Sequence, residues 1–227
     1  MSVSEKLLSM QDKEYKEFHS RLMPTVNPDL IIGIRVPQLR KFAKEFSKTD
    51  EATAFLKELP HRFYEENNLH AFLIEQEKDF DTALSLTEEF LPFIDNWATC
   101  DLLRPKVFKK NPDKLLPFIY KWLSSNKTYT VRYAIGLLLS FYLDEKFDPE
   151  HLKRVADIRS DEYYVYMMVA WYFQTALVKQ YDSTIPYITG RRLSVHAHNK
   201  AIRKSVESLK IPTDTKKYLK TLTVKEK

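Results

Sequence analysis

Apolar residues recur every three to four positions through most of the chain. Leu39, Phe42, Ala43 and Phe46 form one stripe, and Leu69, Phe72 and Leu73, extended by Gln76, form another. Ile135, Leu138, Leu139 and Tyr142 form a third, and Tyr166, Val169, Ala170, Phe173 and Leu177 a fourth. This is the period of a helix, not the alternation of a strand. Short breaks with helix-start chemistry separate the stripes. They are Val36-Pro37, Asn111-Pro112-Asp113, Ser124-Ser125-Asn126, Asp148-Pro149-Glu150, Asp182-Ser183-Thr184 and Ile211-Pro212-Thr213-Asp214. Proline suits a first helical turn, where its missing N–H had no partner anyway. The breaks lie roughly 15–25 residues apart, which predicts helices of about 10–18 residues. No Gly- or Ser-rich linker divides the chain, so residues 1–227 are expected to form one domain.

Many short amphipathic helices joined by short turns predict an all-α fold of helix pairs stacked side by side. No tight repeat consensus is present, but degenerate HEAT-like repeats of about 40 residues tolerate such divergence. An irregular helical bundle is the competing architecture. The stacked arrangement has the advantage of a long concave face for a long ligand.

Composition narrows the chemistry. The only glycines are Gly33, Gly136 and Gly190, which leaves no glycine-rich phosphate loop and no G-x-S-x-G nucleophile elbow. The single cysteine, Cys100, excludes an internal disulfide and a cysteine-rich zinc site; a small packed residue is its expected role. No apolar run reaches the ~18 residues needed to cross a bilayer, and the first residues lack a signal-peptide apolar core. These features predict a cytoplasmic protein in a reducing compartment. His196-x-His198 lacks a nearby third ligand in sequence, so no metal and no cofactor are expected.

Charge is divided unevenly. Residues 1–101 hold 12 Lys/Arg against 19 Asp/Glu, and residues 102–227 hold 24 against 12. A basic half joined to an acidic half points to a polyanion, with nucleic acid the first candidate. A solvated lysine-rich terminus is the bland alternative, and it is the expected role of the final Lys-Glu-Lys.

Several residues are costly for a purely structural role. Trp97 and Asp101 are one helical turn apart. Arg132 interrupts an apolar stretch, and Trp171 sits mid-helix. Asp101 and Arg132 are 31 residues apart, and Arg132 and Trp171 are 39 apart, each near one repeat length. In a stacked-repeat fold these four residues are expected along one strip of the concave face. Core tryptophans, a capping aspartate and an interhelical arginine pair are the competing structural roles. Chemically, a carboxylate beside indole faces suits a transition state with oxocarbenium character, as in cleavage of an N-glycosidic bond. Arg132 would hold a phosphate. The run Tyr163-Tyr164-x-Tyr166 suits base stacking or, equally simply, packing between repeats.

On these motifs the chain resembles the DNA alkylation repair (AlkD-like) family of HEAT-like proteins, whose members include DNA glycosylases. The resemblance is carried by Gly33-Ile34-Arg35-Val36-Pro37-Gln38-Leu39-Arg40, Trp97-x-x-x-Asp101, Lys121-Trp122-Leu123, Val131-Arg132-x-Ala134-Ile135, Ala170-Trp171 and His198-Asn199-Lys200-Ala201-Ile202-Arg203-Lys204. It spans residues 33–208 and leaves a basic tail at 209–227. It implies a right-handed superhelical solenoid of helix pairs that holds duplex DNA, damaged or distorted, on its concave face as a monomer. It also implies that Asp101 stabilises the deoxyribosyl cation, that Trp97 and Trp171 pack against the sugar-phosphate, and that Arg132 holds phosphate. Lys127, Arg191, Arg192, His198, Lys200, Arg203 and Lys204 are the further DNA contacts expected.

One segment departs from the family pattern. Family glycosylases place a DNA-contacting helix directly before the Gly33 motif. Here that position is Leu22-Met23-Pro24-Thr25-Val26-Asn27-Pro28-Asp29-Leu30, with two prolines and no Lys or Arg. A continuous helix cannot cross it, so weak or absent excision of simple methylpurines is expected. The other readings are an active glycosylase for N3- or N7-alkylated purines, a non-catalytic binder of branched DNA, and a protein-interaction solenoid.

Overall fold

The computed structural model describes residues 1–225 and is helical throughout, with no strand among the described residues. The chain divides into two compact units, Met1–Asn111 and Pro112–Lys227. In the first unit the helices are α1 (Val3–Leu8), α2 (Lys13–Ser20), α3 (Val36–Phe46), α4 (Asp50–Phe55), α5 (Tyr64–Ile74), α6 (Phe80–Phe90), α7 (Trp97–Leu102) and α8 (Lys106–Lys110). In the second they are α9 (Pro112–Leu123), α10 (Thr128–Phe141), α11 (Pro149–Ala156), α12 (Tyr163–Lys179), α13 (Tyr181–Thr189), α14 (Val195–Glu207) and α15 (Thr213–Thr221). Several first-unit helices are shorter than the spacing of breaks predicts. Most breaks fall where expected: Pro37 lies in the first turn of α3, and α9, α11 and α15 begin at or beside their prolines.

The first unit is built around α5, which packs against α3 and α7. Every residue of α5 is buried, including Glu65, Glu66, Asn67, Asn68 and His70. The one-sided stripe expected through Leu69 and Leu73 is therefore a helix buried on all faces. Leu39, Ala43 and Phe46 of α3 join Leu69, Phe72 and Leu73 of α5 and Phe55 of α4 in one apolar cluster.

Buried carboxylates on α5 serve backbone groups of the preceding segments. Glu65 accepts the N–H groups of Ile32, Gly33 and Ile34 at 2.8, 2.7 and 3.2 Å. Burial pushes its carboxyl pKa up, and those three backbone donors oppose the shift. Gly33 has φ +93°, and a Cβ there would lie 2.6 Å from Lys16 Cβ and 2.7 Å from the Asp12 carbonyl. Only glycine passes so close to α2 in that conformation. Asp12 caps α2 through Tyr15 N–H and accepts from Arg35 Nε at 3.0 Å. The Gly33-Ile34-Arg35 motif thus joins α2 to α5.

In the second unit α10, α12 and α14 pack in sequence, α12 lying between the other two. Helix α9 packs on α10, α13 on α12, and α15 on α14. The Tyr142 hydroxyl donates to the Pro112 carbonyl at 2.6 Å, which ties the end of α10 to the start of α9. The break expected at Asp182-Ser183-Thr184 falls two residues earlier. The chain turns at Gln180, whose φ is −138° and whose side-chain amide donates to the Leu143 carbonyl. Thr184 is inside α13, buried, with its hydroxyl bonded back to the Gln180 carbonyl.

The segment expected as a basic tail folds back as α15. Leu219 and Ile211 are buried, and Asn199 exchanges two hydrogen bonds with Val224. Of the final Lys-Glu-Lys, Lys225 is exposed and the last two residues lie outside the described residues.

Candidate DNA-binding face and catalytic residues

In the first unit, α7 carries Trp97 and Asp101. Asn96 caps this helix, its Oδ1 accepting Thr99 N–H at 2.8 Å and its amide donating to Thr99 Oγ1 at 3.0 Å. Thr99 Oγ1 in turn donates to Asn68 Oδ1 of α5 at 2.8 Å. This chain of polar groups is buried and fixes the start of α7. Asn96 is thus a cap. Cys100 is buried, a packed residue as its setting in sequence suggested.

Trp97 is half-buried against Met23, Val26, Ile31, Tyr64 and Ala98. Its Nε1–H donates to the Leu22 carbonyl at 3.1 Å. The segment that supplies this carbonyl is not α-helical. It forms tight turns, with Val26 N–H bonded to Met23 C=O and one 3₁₀ turn at Pro28–Leu30. Sequence reasoning missed α2 just upstream, an eight-residue helix with Lys13, Lys16 and an exposed Phe18. Asp101 is half-buried at the other end of α7, one turn from Trp97.

In the second unit, Arg132 of α10 is only 6% exposed and donates from Nη1 to the Tyr164 carbonyl of α12 at 2.9 Å. Trp171 of α12 is 42% exposed. It shares a face with half-buried Tyr164, Met167 and Gln174, which lie at helical spacing along α12. Lys200 and Lys204 are one turn apart on α14 and half-buried. Burial depresses the Lys204 pKa; Glu207 acts against that shift, while the charges of Lys200 and Arg132 add to it. Cations from α10 and α14 therefore converge at one partly desolvated place, where like charges repel more strongly than in bulk water.

Lys127 is exposed at the start of α10, and Arg191 and Arg192 are exposed in the turn between α13 and α14. Arg203 is exposed and pairs with Glu207 at 3.1 Å. His198 corrects an expectation. It is 1% exposed, with Nε2 at 2.9 Å from the Leu222 carbonyl, so its ring fastens the last segment and has no surface for a ligand. Among the described residues no cluster of three His, Cys, Asp or Glu side chains could hold a metal ion, and no helix is long and apolar enough to cross a membrane.

A second basic surface was not singled out in the sequence. In the first unit Arg40, Lys44, Lys78, Lys106 and Lys110 line a groove of about 610 Å³. The Arg40 guanidinium lies 4.0 Å over the Phe72 ring and pairs with Glu75. Arg40, Lys44 and Lys78 lie in the acidic half, far in sequence from Lys106 and Lys110 of the basic half, so neither local charge nor spacing joined them.

Among the described residues the fold is all-α, with half-buried lysines on α14 and an exposed indole on α12. The chain belongs to the DNA alkylation repair enzyme family, whose model matches residues 3–165. That membership points to a role in DNA repair and makes DNA the partner to test first. No curated protein matches the chain.

Proposed function

We propose that this is a HEAT-like solenoid, one functional domain across both units, that binds duplex DNA along the α10–α12–α14 face. The observation that carries this reading is the pair Lys200 and Lys204, half-buried and one turn apart on α14, where burial and the charges of Lys200 and Arg132 disfavour the Lys204 charge. Such an arrangement costs stability in the free protein and is relieved by a phosphate. Family membership supports the same partner.

The proposed chemistry is hydrolysis of an N-glycosidic bond: the base leaves with the bonding pair, and a water positioned by Asp101 adds to C1′ and gives up a proton. Asp101 stabilises the positive charge that develops on the deoxyribose, and Trp97 packs against the sugar. Trp171 meets the sugar-phosphate, and the Arg132 charge holds the backbone in place. A leaving base that is already cationic, as in an N3- or N7-alkylated purine, needs no general acid.

In this reading simple methylpurine excision is weak or absent. The segment before Gly33 is folded as turns whose Leu22 carbonyl occupies the Trp97 indole N–H. A recognition helix at that position is lacking, and with it the positioning that contributes much of such a rate. The presence of Trp97 and Asp101 on one helix favours active excision as the second reading.

The deciding experiment is single-turnover release of base from duplex DNA carrying N7-methylguanine, with the wild type and Asp101→Asn. Binding without release above background is expected. Release that disappears in Asp101→Asn would establish the glycosylase reading instead.

A further inference from the structure

Rings join the starts of α10, α12 and α14 into one continuous string. Tyr129 lies against Tyr164 with centroids 5.8 Å apart. Tyr164 meets Tyr163 edge-on at 5.1 Å, and Tyr163 meets Tyr166 edge-on at 5.4 Å. Tyr166 stacks on His196 of α14 at 5.4 Å, with 29° between the planes. Helices that pack side by side lie 8–10 Å apart, so a row across three of them spans about 20 Å.

This string differs from an aromatic core. Tyr163 is 49% exposed, His196 is exposed, and Tyr129, Tyr164 and Tyr166 are half-buried. Its surroundings are cationic. Lys127 precedes Tyr129 by two residues, Lys200 follows His196 by one turn, and Arg132 donates to the Tyr164 carbonyl. Neither Lys127 at the start of α10 nor Glu162 at the start of α12 caps its helix with a side chain. Exposed rings interleaved with cations are the pattern that takes single-stranded nucleic acid, each base stacking on a ring while the backbone follows the charge. Bases in an intact duplex are stacked on one another and cannot present their faces to such a row.

We propose that this ring string is a stacking platform for unpaired bases, so that the DNA held by this face is duplex interrupted by a short single-stranded run. The proposal rests on the DNA-binding reading above and specifies its substrate. Tyr163, about half open to solvent at 49%, receives a base, and Lys127 and Lys200 receive the flanking phosphates.

The test is binding by fluorescence anisotropy of the full chain to two labelled DNAs: a fully paired duplex and the same duplex with a three-nucleotide gap. Wild type, Tyr163→Ala and Tyr163→Phe are compared. One lost stacking contact corresponds to a weakening of roughly five- to a hundred-fold. Tyr163→Ala is expected to lose that factor on gapped DNA and to be unchanged on paired DNA. Tyr163→Phe keeps the ring and is expected to keep the preference, which separates stacking from misfolding. Equal binding of the two DNAs by wild type, or a loss on both in Tyr163→Ala, overturns the platform and leaves the DNA-binding face standing. No binding of either DNA overturns both.

Discussion

Glu65 holds three backbone N–H groups on two carboxylate oxygens. Oε1 serves Gly33 and Ile34, and Oε2 serves Ile32. Glu65→Gln keeps one acceptor oxygen and turns an amide NH₂ towards a backbone N–H. Two donors then face each other in a buried place. The expected cost is about 2–3 kcal/mol of stability, read from urea unfolding, because a buried donor is left unpaired. A change under about 0.5 kcal/mol would remove Glu65 from this role. The same residue shows where the sequence was opaque. Glu65-Glu66-Asn67-Asn68 has the composition of a solvated face, yet all four are buried. Glu66 closes the local helix start by accepting Arg62 and Phe63 N–H, but the other partners are 31–62 residues away: Ile32, Gly33 and Ile34 for Glu65, Ser4 for Glu66 and Thr99 for Asn68. No local pattern encodes contacts at that range. Trp97 and Trp171 were legible as unusual residues. That one is bonded to Leu22 while the other faces solvent depends on tertiary placement.

At the scale of elements, a column of stacked rings links α4, α5 and α6. Phe55 stacks on His61 with centroids 4.2 Å apart, and His70 stacks on Phe90 at 4.1 Å. His61 Nε2 and His70 Nδ1 are 2.8 Å apart and share one proton. His70 Nε2 is buried without a partner, which places the His70 proton on Nδ1, since an orphaned lone pair costs less than an orphaned N–H. Burial pushes the His61 pKa down to about 4, against the pull of Glu66, and the His70 pKa down to about 3. Both rings are neutral in the fold, whereas the unfolded chain binds protons near pH 6.5. The pair's contribution is therefore complete above pH 6.5 and is lost as pH falls from there towards 4. Thermal unfolding followed between pH 7.5 and 5 is expected to show a falling Tm, in a range where most carboxylates remain ionised. The His61→Gln, His70→Gln double variant is expected to reduce that slope, the rest coming from His19 and His151, whose pKa values burial also lowers, and an unchanged slope would rule the pair out as a source. Helix starts were legible from proline and Asx or Ser/Thr chemistry, since capping is local. The turn at Gln180 was not, because one residue with neither Gly nor Pro makes it.

At the scale of the whole chain, the two compact units keep the division of charge but share it less sharply than the sequence halves do. Residues 1–111 hold 16 Lys/Arg against 19 Asp/Glu, and residues 112–227 hold 20 against 12. The sequence showed the asymmetry but not how it is used. His198 lies in a basic stretch yet is buried, while Lys204, a few residues on, meets Arg132 from 72 positions away. A lysine whose charge is disfavoured in the free protein and needed in the complex should respond to substitution in opposite directions. Lys204→Gln removes the repulsion with Lys200 and Arg132, so its Tm is expected to rise slightly. In duplex DNA binding, the same substitution removes one phosphate contact and is expected to lower the slope of log K against log salt by about 0.9. The Lys127→Gln, Lys200→Gln, Lys204→Gln triple variant should lower it by about 2–3. A lysine kept for packing would instead lose Tm on substitution and leave the slope unchanged, and that result would remove the α10–α12–α14 face from the DNA interface. An acidic protein partner would also bind salt-dependently, but duplex DNA would then fail to compete for the face, whereas on the reading argued above it displaces that partner.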